Sequence, residues 1–216
     1  MRKDTITVLT AASMMLAACQ SGSFKISGSG EKLVDGDTVI MARADSEGQP
    51  VDTAVVKDGK FEFEGKADST RFCIVFSTKD REAQLPFFVE GGNIRLYMAD
   101  SPLTMEVGGT TMNNKWQDFV DETAGIGLDI NRLASRLYDT KADHQARQEI
   151  MDSITELNKM FEEILISKAT KNIDNEFGAF LLTYYNRFIN RDKRHELEQK
   201  MPGELRKKNV LTITVS

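Results

Sequence analysis

From Phe24 to about Val107 the chain alternates in short steps between apolar and polar residues, broken by turn-forming residues. Phe24-Lys25-Ile26-Ser27-Gly28 has the period of two expected of a half-buried strand. Asp35-Gly36-Asp37 marks a turn, and Thr38 to Arg43 follows as a strand. Val51 to Lys57 and Lys60 to Gly65 flank Asp58-Gly59, a pair suited to a type I′ turn, so a β-hairpin is predicted there. In Lys60-Phe61-Glu62-Phe63-Glu64 the two rings share one face and the charges share the other. Arg71 to Ser77 and Leu85 to Glu90 read as more buried strands, with Pro86 at a strand start, an edge or a bulge. Gly91-Gly92-Asn93 turns the chain into Ile94 to Met98. Strands of this length and spacing predict an antiparallel β-sandwich or open barrel over residues 24–110.

Gly108-Gly109-Thr110 marks a boundary, after which the period lengthens to that of a helix. Trp116, Phe119, Val120, Thr123, Ile130, Leu133 and Leu137 trace one apolar stripe, with Gly125 and Gly127 placed to kink or split it. A second helix is predicted from about Asp143 to Lys171, with Ile150, Ile154, Leu157, Phe161, Ile164 and Leu165 on its buried face. A third begins near Asp174, taken as its N-cap, and turns Phe177, Phe180, Leu181, Tyr184 and Phe188 one way. These aromatic stripes are read as packing core. The fold class is therefore α+β, β first and α second, with a helical region of about three helices over residues 111–201. Residues 202–216 form a C-terminal tail whose last part, Val210 to Ser216, is rich in β-branched residues. It suits either a terminal strand returning to a sheet or a tail left by truncation.

The first residues carry a different signal. Arg2 and Lys3 precede an uncharged, largely apolar run from Thr5 to Met15, and Leu16-Ala17-Ala18-Cys19 fits the lipobox pattern. The run is too short to span a bilayer as a helix, which takes about 20 apolar residues. Residues 1–18 are expected to be a lipoprotein signal peptide, cleaved so that lipidated Cys19 becomes the N-terminus. Two or three acyl chains, at about 0.8 kcal/mol per buried methylene, hold such a protein on a membrane. Residues 19–23 form a short lipidated tether. They lack an acidic cluster, and no Asp follows Cys19, so the expected location is the cell envelope, at the periplasmic face of the outer membrane.

Composition narrows the chemistry. The 216 residues carry a net charge of −5 with no basic block, so no nucleic acid partner is expected. With Cys19 lipidated, Cys73 is the second and last cysteine, and no internal disulfide can form. Cys73 lies in Phe72-Cys73-Ile74-Val75-Phe76, which reads as a buried strand, where a thiol is inert. His144 and His195 lack partners at metal-ligand spacing, and no metal or cofactor is expected. The adjacent pairs Asp121-Glu122 and Glu162-Glu163 point about 100° apart on their helices and read as solvated faces. Gly28-x-Gly30 lies outside a strand-to-helix phosphate-binding context, and no nucleophile motif occurs.

Several segments carry a family resemblance: Ile26-Ser27-Gly28-Ser29-Gly30, Asp52 to Gly65, Phe87-Phe88-Val89-Glu90-Gly91-Gly92-Asn93-Ile94 and Val107-Gly108-Gly109-Thr110. In their order and spacing they resemble the N-terminal domain of unknown function found in lipoproteins akin to TlpA-type thiol–disulfide oxidoreductases. Asn175 to Leu182 is similar to the helical linker that follows this domain. The resemblance implies a thioredoxin-like (AhpC/TSA) domain next, with a Cys-x-x-Cys site, but the chain has no Cys-x-x-Cys anywhere. Dithiol exchange needs an attacking thiolate and a second thiol to resolve the mixed disulfide. No catalytic residue is therefore assigned. The expected function is a non-catalytic envelope module that binds a protein partner or an unidentified small ligand. The alternatives are a truncated oxidoreductase fragment and a stand-alone glycan or lipid carrier.

Overall fold

The computed structural model describes residues 22–44, 49–138 and 143–207. The stretch expected to be a signal peptide, Cys19 and the tail beyond Lys207 lie outside the described residues. The chain order is β1 (Ser23–Gly30), β2 (Thr38–Arg43), β3 (Pro50–Val55), β4 (Lys60–Lys66), β5 (Arg71–Ser77), β6 (Asp80–Val89), β7 (Gly92–Met98) and β8 (Glu106–Gly108). The helices α1 (Thr111–Leu137), α2 (His144–Lys171), α3 (Glu176–Tyr184), α4 (Arg191–Lys200) and α5 (Gly203–Lys207) follow. The α+β class, strands first, is what the pattern predicts.

The strands form two four-stranded sheets, β4-β1-β7-β8 and β3-β2-β5-β6, which do not close into a barrel. In β4 the alternation acts as the sequence implies: Phe61 and Phe63 are buried while Lys60, Glu62 and Glu64 are exposed. Phe61 lies opposite Gly28 of β1. A Cβ on Gly28 would sit 2.0 Å from the Phe61 ring, so only glycine lets that ring lie flat across β1. Ile26, Val39, Met41, Val75, Phe87 and Ile94 join the two rings in the packed interior.

Two pairings depart from expectation. The sandwich is not antiparallel throughout, because β1 and β7 pair in parallel, Ile26 opposite Ile94. Parallel neighbours need a long connection, and the five strands between β1 and β7 supply it. The Asp58-Gly59 hairpin is also shorter than predicted. Both residues have positive φ, 52° and 67°, as a type I′ turn requires. Lys57 and Lys60 exchange backbone bonds at 2.9 and 3.0 Å. There the ladder stops: β3 pairs with β2, and β4 pairs with β1 in the other sheet. The turn is a corner joining the sheets.

The helices cover the outer face of the second sheet near Phe72 and Phe88. The Phe180 ring of α3 lies 4.9 Å from Phe72 and 4.8 Å from Phe88, and the Trp116 ring of α1 lies 5.2 Å from Phe72. One apolar cluster thus runs through strands and helices. Helix α1 continues unbroken through Gly125 and Gly127, because Thr123 and Ile126 are buried while both glycines face solvent. Asp143 caps α2, accepting from the Ala146 N–H at 2.8 Å. The α3 cap is Asn175 rather than Asp174, accepting from the Phe177 N–H at 3.1 Å. The helical region holds more than three helices. Helix α4 is charged nearly throughout and buries only Leu197, so it leaves no stripe to read.

Candidate functional site

Helix α1 meets the sandwich at its open seam, where β6 and β8 are both edge strands. An edge strand has unpaired backbone groups, and the first turns of α1 take them up. Asn113, 0% exposed, accepts from the Phe88 N–H and donates to the Phe88 carbonyl, both at 2.8 Å, and donates to Thr110 Oγ1 at 2.8 Å. Its amide stands in for a neighbouring strand. Trp116 Nε1 donates to the Pro86 carbonyl at 3.0 Å, so Pro86 sits on an edge, as its missing N–H demands. On the other sheet, Gln117 Oε1 accepts from the Val107 N–H at 2.7 Å and Asn114 Oδ1 from the Gly109 N–H at 3.0 Å. Glu90 Oε1 accepts from the Met112 N–H at 2.8 Å, placing a carboxylate at the positive end of α1. Gly109 has φ of 97°, and a Cβ there would lie 2.2 Å from the Asn93 carbonyl oxygen.

Two adjoining depressions flank this clasp. The first is an apolar cleft of about 290 Å³ between β6, α1 and the 3-10 turn at Pro102–Thr104. Leu85, Pro86, Met105, Val107, Trp116 and Val120 line it. Leu103 and Leu128, also in its lining, are 49% and 44% exposed. The second is an open polar trough of about 960 Å³ along the outer face of the first sheet. Ser27, Ser29, Lys60, Glu62, Arg95 and Tyr97 contribute its floor. Glu106 of β8 and Asp118 and Asp121 of α1 add carboxylates to its lining. Leu103, Met105, Val107 and Gln117 belong to both depressions, so they form one continuous surface. It sets an apolar slot, with Trp116 in its lining, beside a polar, mostly acidic rim.

On the trough floor, the hydrogen bond that the Tyr97 hydroxyl donates to Glu31 at 2.9 Å pushes its phenol up; other residues with perturbed acidity lie away from the two depressions. Asp37 is buried at the end of the sandwich with Lys79 Nζ against Oδ1. Its hydrogen bond to Lys79 holds its carboxyl below the usual range, helped by the Val34 N–H at 3.2 Å, while burial opposes this. Hydrogen bonds from Lys193 and Lys200 draw Glu196 down to about 2. Desolvation pushes the phenols of exposed Tyr184 and half-buried Tyr185 up.

The residues singled out in the sequence do not converge. Cys73 lies in β5, 2% exposed, opposite Phe87. His144 opens α2, and His195 sits exposed on α4 beside Glu198. Glu122 pairs with Lys168 at 2.6 Å and ties α1 to α2, while Asp121 accepts from Gln117 Nε2 at 2.7 Å and faces the trough. Glu162 Oε1 accepts from the Asn190 N–H at 2.8 Å. Gly28 and Gly30 lie in β1. No group of three possible metal ligands occurs among the described residues. No helix among them is long and apolar enough to cross a membrane. The clasp residues Asn113, Asn114 and Gln117 carry no signal in the sequence, since amides on a helix read as solvent-facing.

The comparison with protein families agrees with the strand-rich part. Residues 24–116 match the family model of a domain of unknown function, DUF4369. The matched stretch runs past the last strand and ends on Trp116, so it takes in Asn113 and most of the clasp. In the DUF4369 stretch, then, the start of α1 and the two sheets go together. No curated protein matches the chain.

Proposed function

We propose that this chain is a non-catalytic interaction module of the bacterial cell envelope. It is tethered through lipid on Cys19 at the periplasmic face of the outer membrane, and it is related to the front part of TlpA-like thiol–disulfide oxidoreductases. The observation that carries the reading is the continuous surface beside Trp116. It joins an apolar cleft bearing exposed Leu103 and Leu128 to a polar trough. An anchoring side chain buried in such a slot, surrounded by polar contacts, is how protein partners are commonly held. Against dithiol catalysis stands Cys73, packed on β5 inside the sandwich, where burial disfavours the attacking thiolate. A glycan or lipid carrier using the sandwich interior is disfavoured by the aromatic side chains that fill it.

The test uses the lipid-free chain from Gln20 onward. In an insulin-reduction assay its turnover equals that of a Cys73→Ala variant; faster turnover overturns the non-catalytic reading. In a pull-down from envelope extract, the wild-type chain enriches a partner that a Leu103→Asp/Leu128→Asp variant does not. Both positions are half-exposed, so the variant keeps its thermal midpoint. Equal capture by the two proteins removes the cleft from the binding surface.

A further inference from the structure

Helix α1 does not bury its whole apolar face. Trp116, Val120, Ala124 and Leu128 recur every fourth residue, so they lie on one side of the helix over about 18 Å. All four line the apolar cleft, and they emerge from the core in order: Trp116 is buried, Val120 and Ala124 are half-buried and Leu128 is exposed. Exposed Leu103 joins them in the lining. The β6 edge from Gln84 to Pro86 supplies another wall. Pro86 has no N–H and Trp116 takes its carbonyl at 3.0 Å, so a guest strand finds no ladder there. What the cleft offers a partner is room for an apolar side chain.

The charge of the rim says what stands beside that side chain. The trough that adjoins the cleft is lined by four carboxylates, Glu62, Glu106, Asp118 and Asp121, against two cations, Lys60 and Arg95. Glu62 is already paired with Lys25 at 3.0 Å. Glu106, Asp118 and Asp121 are exposed, and among the described residues no cation pairs with them. These three are also next to the slot: Glu106 sits between Met105 and Val107, Asp118 follows Gln117 and Asp121 follows Val120. The Tyr97 phenol lies in the same negative field, pushed up by its hydrogen bond to Glu31, by burial and by the charges of Glu31, Glu106 and Asp100. We propose that the cleft takes a segment of a partner protein in which an apolar side chain is flanked by lysine or arginine. The inference rests on the cleft being the binding surface and adds the charge of what it binds. The apolar side chain fills the slot beside Trp116, and the cations meet Glu106, Asp118 and Asp121 at the rim. Charges so placed govern partner choice and association rate more than raw affinity.

A phage-displayed library of random short peptides tests this. It is panned on the lipid-free chain from Gln20 to Ser216 and counter-selected on a Leu103→Ser/Leu128→Ser variant, which removes apolar contact without adding charge. The enriched peptides carry a large apolar residue with lysine or arginine close by, and aspartate and glutamate are depleted. The best of them, made without tryptophan, changes the fluorescence of Trp116, the single tryptophan of the chain. Its binding weakens as salt rises, and by about threefold or more in an Asp118→Asn/Asp121→Asn variant. Cleft-dependent peptides that are neutral or acidic overturn the inference, as does binding that the Asp118→Asn/Asp121→Asn variant leaves unchanged; in both cases the cleft stands as the binding surface. Panning that yields no cleft-dependent peptide overturns it too, because a linear segment is then not what the cleft holds. Failure of the cleft itself shows separately, as equal capture of the envelope partner by the wild-type chain and its Leu103→Asp/Leu128→Asp variant.

Discussion

Asn113 shows how a single polar side chain can hold a junction together. It is fully buried, and its amide satisfies both the donor and the acceptor of Phe88 on the edge of β6. Asn113→Ala strands both groups against apolar walls. An orphaned buried group costs about 1–3 kcal/mol, so the variant is expected to lose about 2–4 kcal/mol by urea denaturation. Asn113→Asp does not rescue it, because a carboxylate cannot donate to the Phe88 carbonyl and is buried as a charge. A midpoint unchanged for Asn113→Ala would mean that water replaces the amide and that the clasp adds little. Periodicity cannot reveal such a residue. It finds Trp116, Phe119 and Thr123 on the buried stripe of α1, and all three are buried. It counts Asn113 as outward-facing on chemical type alone, although the position lies on the same face as Trp116.

At the level of elements, local signals are reliable about shape and poor about partners. Asp58-Gly59 specifies a type I′ turn, and the turn forms. Which strands lie beside each other is decided by burial of Phe61 and Phe63 against β1, a contact more than thirty residues away in sequence. The glycines of α1 show the opposite error. Gly125 and Gly127 suggest a break, yet helix-forming contacts on either side carry the chain through. A Cβ at either position meets nothing within 4 Å, and both face solvent. Each glycine costs a helix about 0.5–1 kcal/mol relative to alanine. Gly125→Ala/Gly127→Ala is therefore expected to raise stability by about 1–2 kcal/mol and to leave the far-UV circular dichroism at least as helical. A lower midpoint would mean that α1 bends at these residues in solution.

At the scale of the whole molecule, the sequence divides at Gly108-Gly109-Thr110, but the core does not. Strand β5 explains why. Its run Phe72-Cys73-Ile74-Val75-Phe76 lacks alternation because both faces are occupied. Cys73 and Val75 point into the sandwich, while Phe72 points to α1 and α3. Apolar runs of this kind show that a strand is covered twice without saying by what. Here the cover is the helical region, so the strands and helices stabilise each other across Phe72, Phe88, Trp116 and Phe180. Trp116, the single tryptophan, stands at that junction and reports on it directly. Its fluorescence and the 222 nm circular dichroism are expected to change together in one urea transition, as in a two-state unit. Phe180→Ala, though it removes a ring from α3, is expected to shift both signals equally, by about 3–5 kcal/mol for a large buried aromatic. If helicity and fluorescence instead separate, with Phe180→Ala moving only the helical signal, the strand-rich part folds without its helices and the shared core contributes little to holding the sheets.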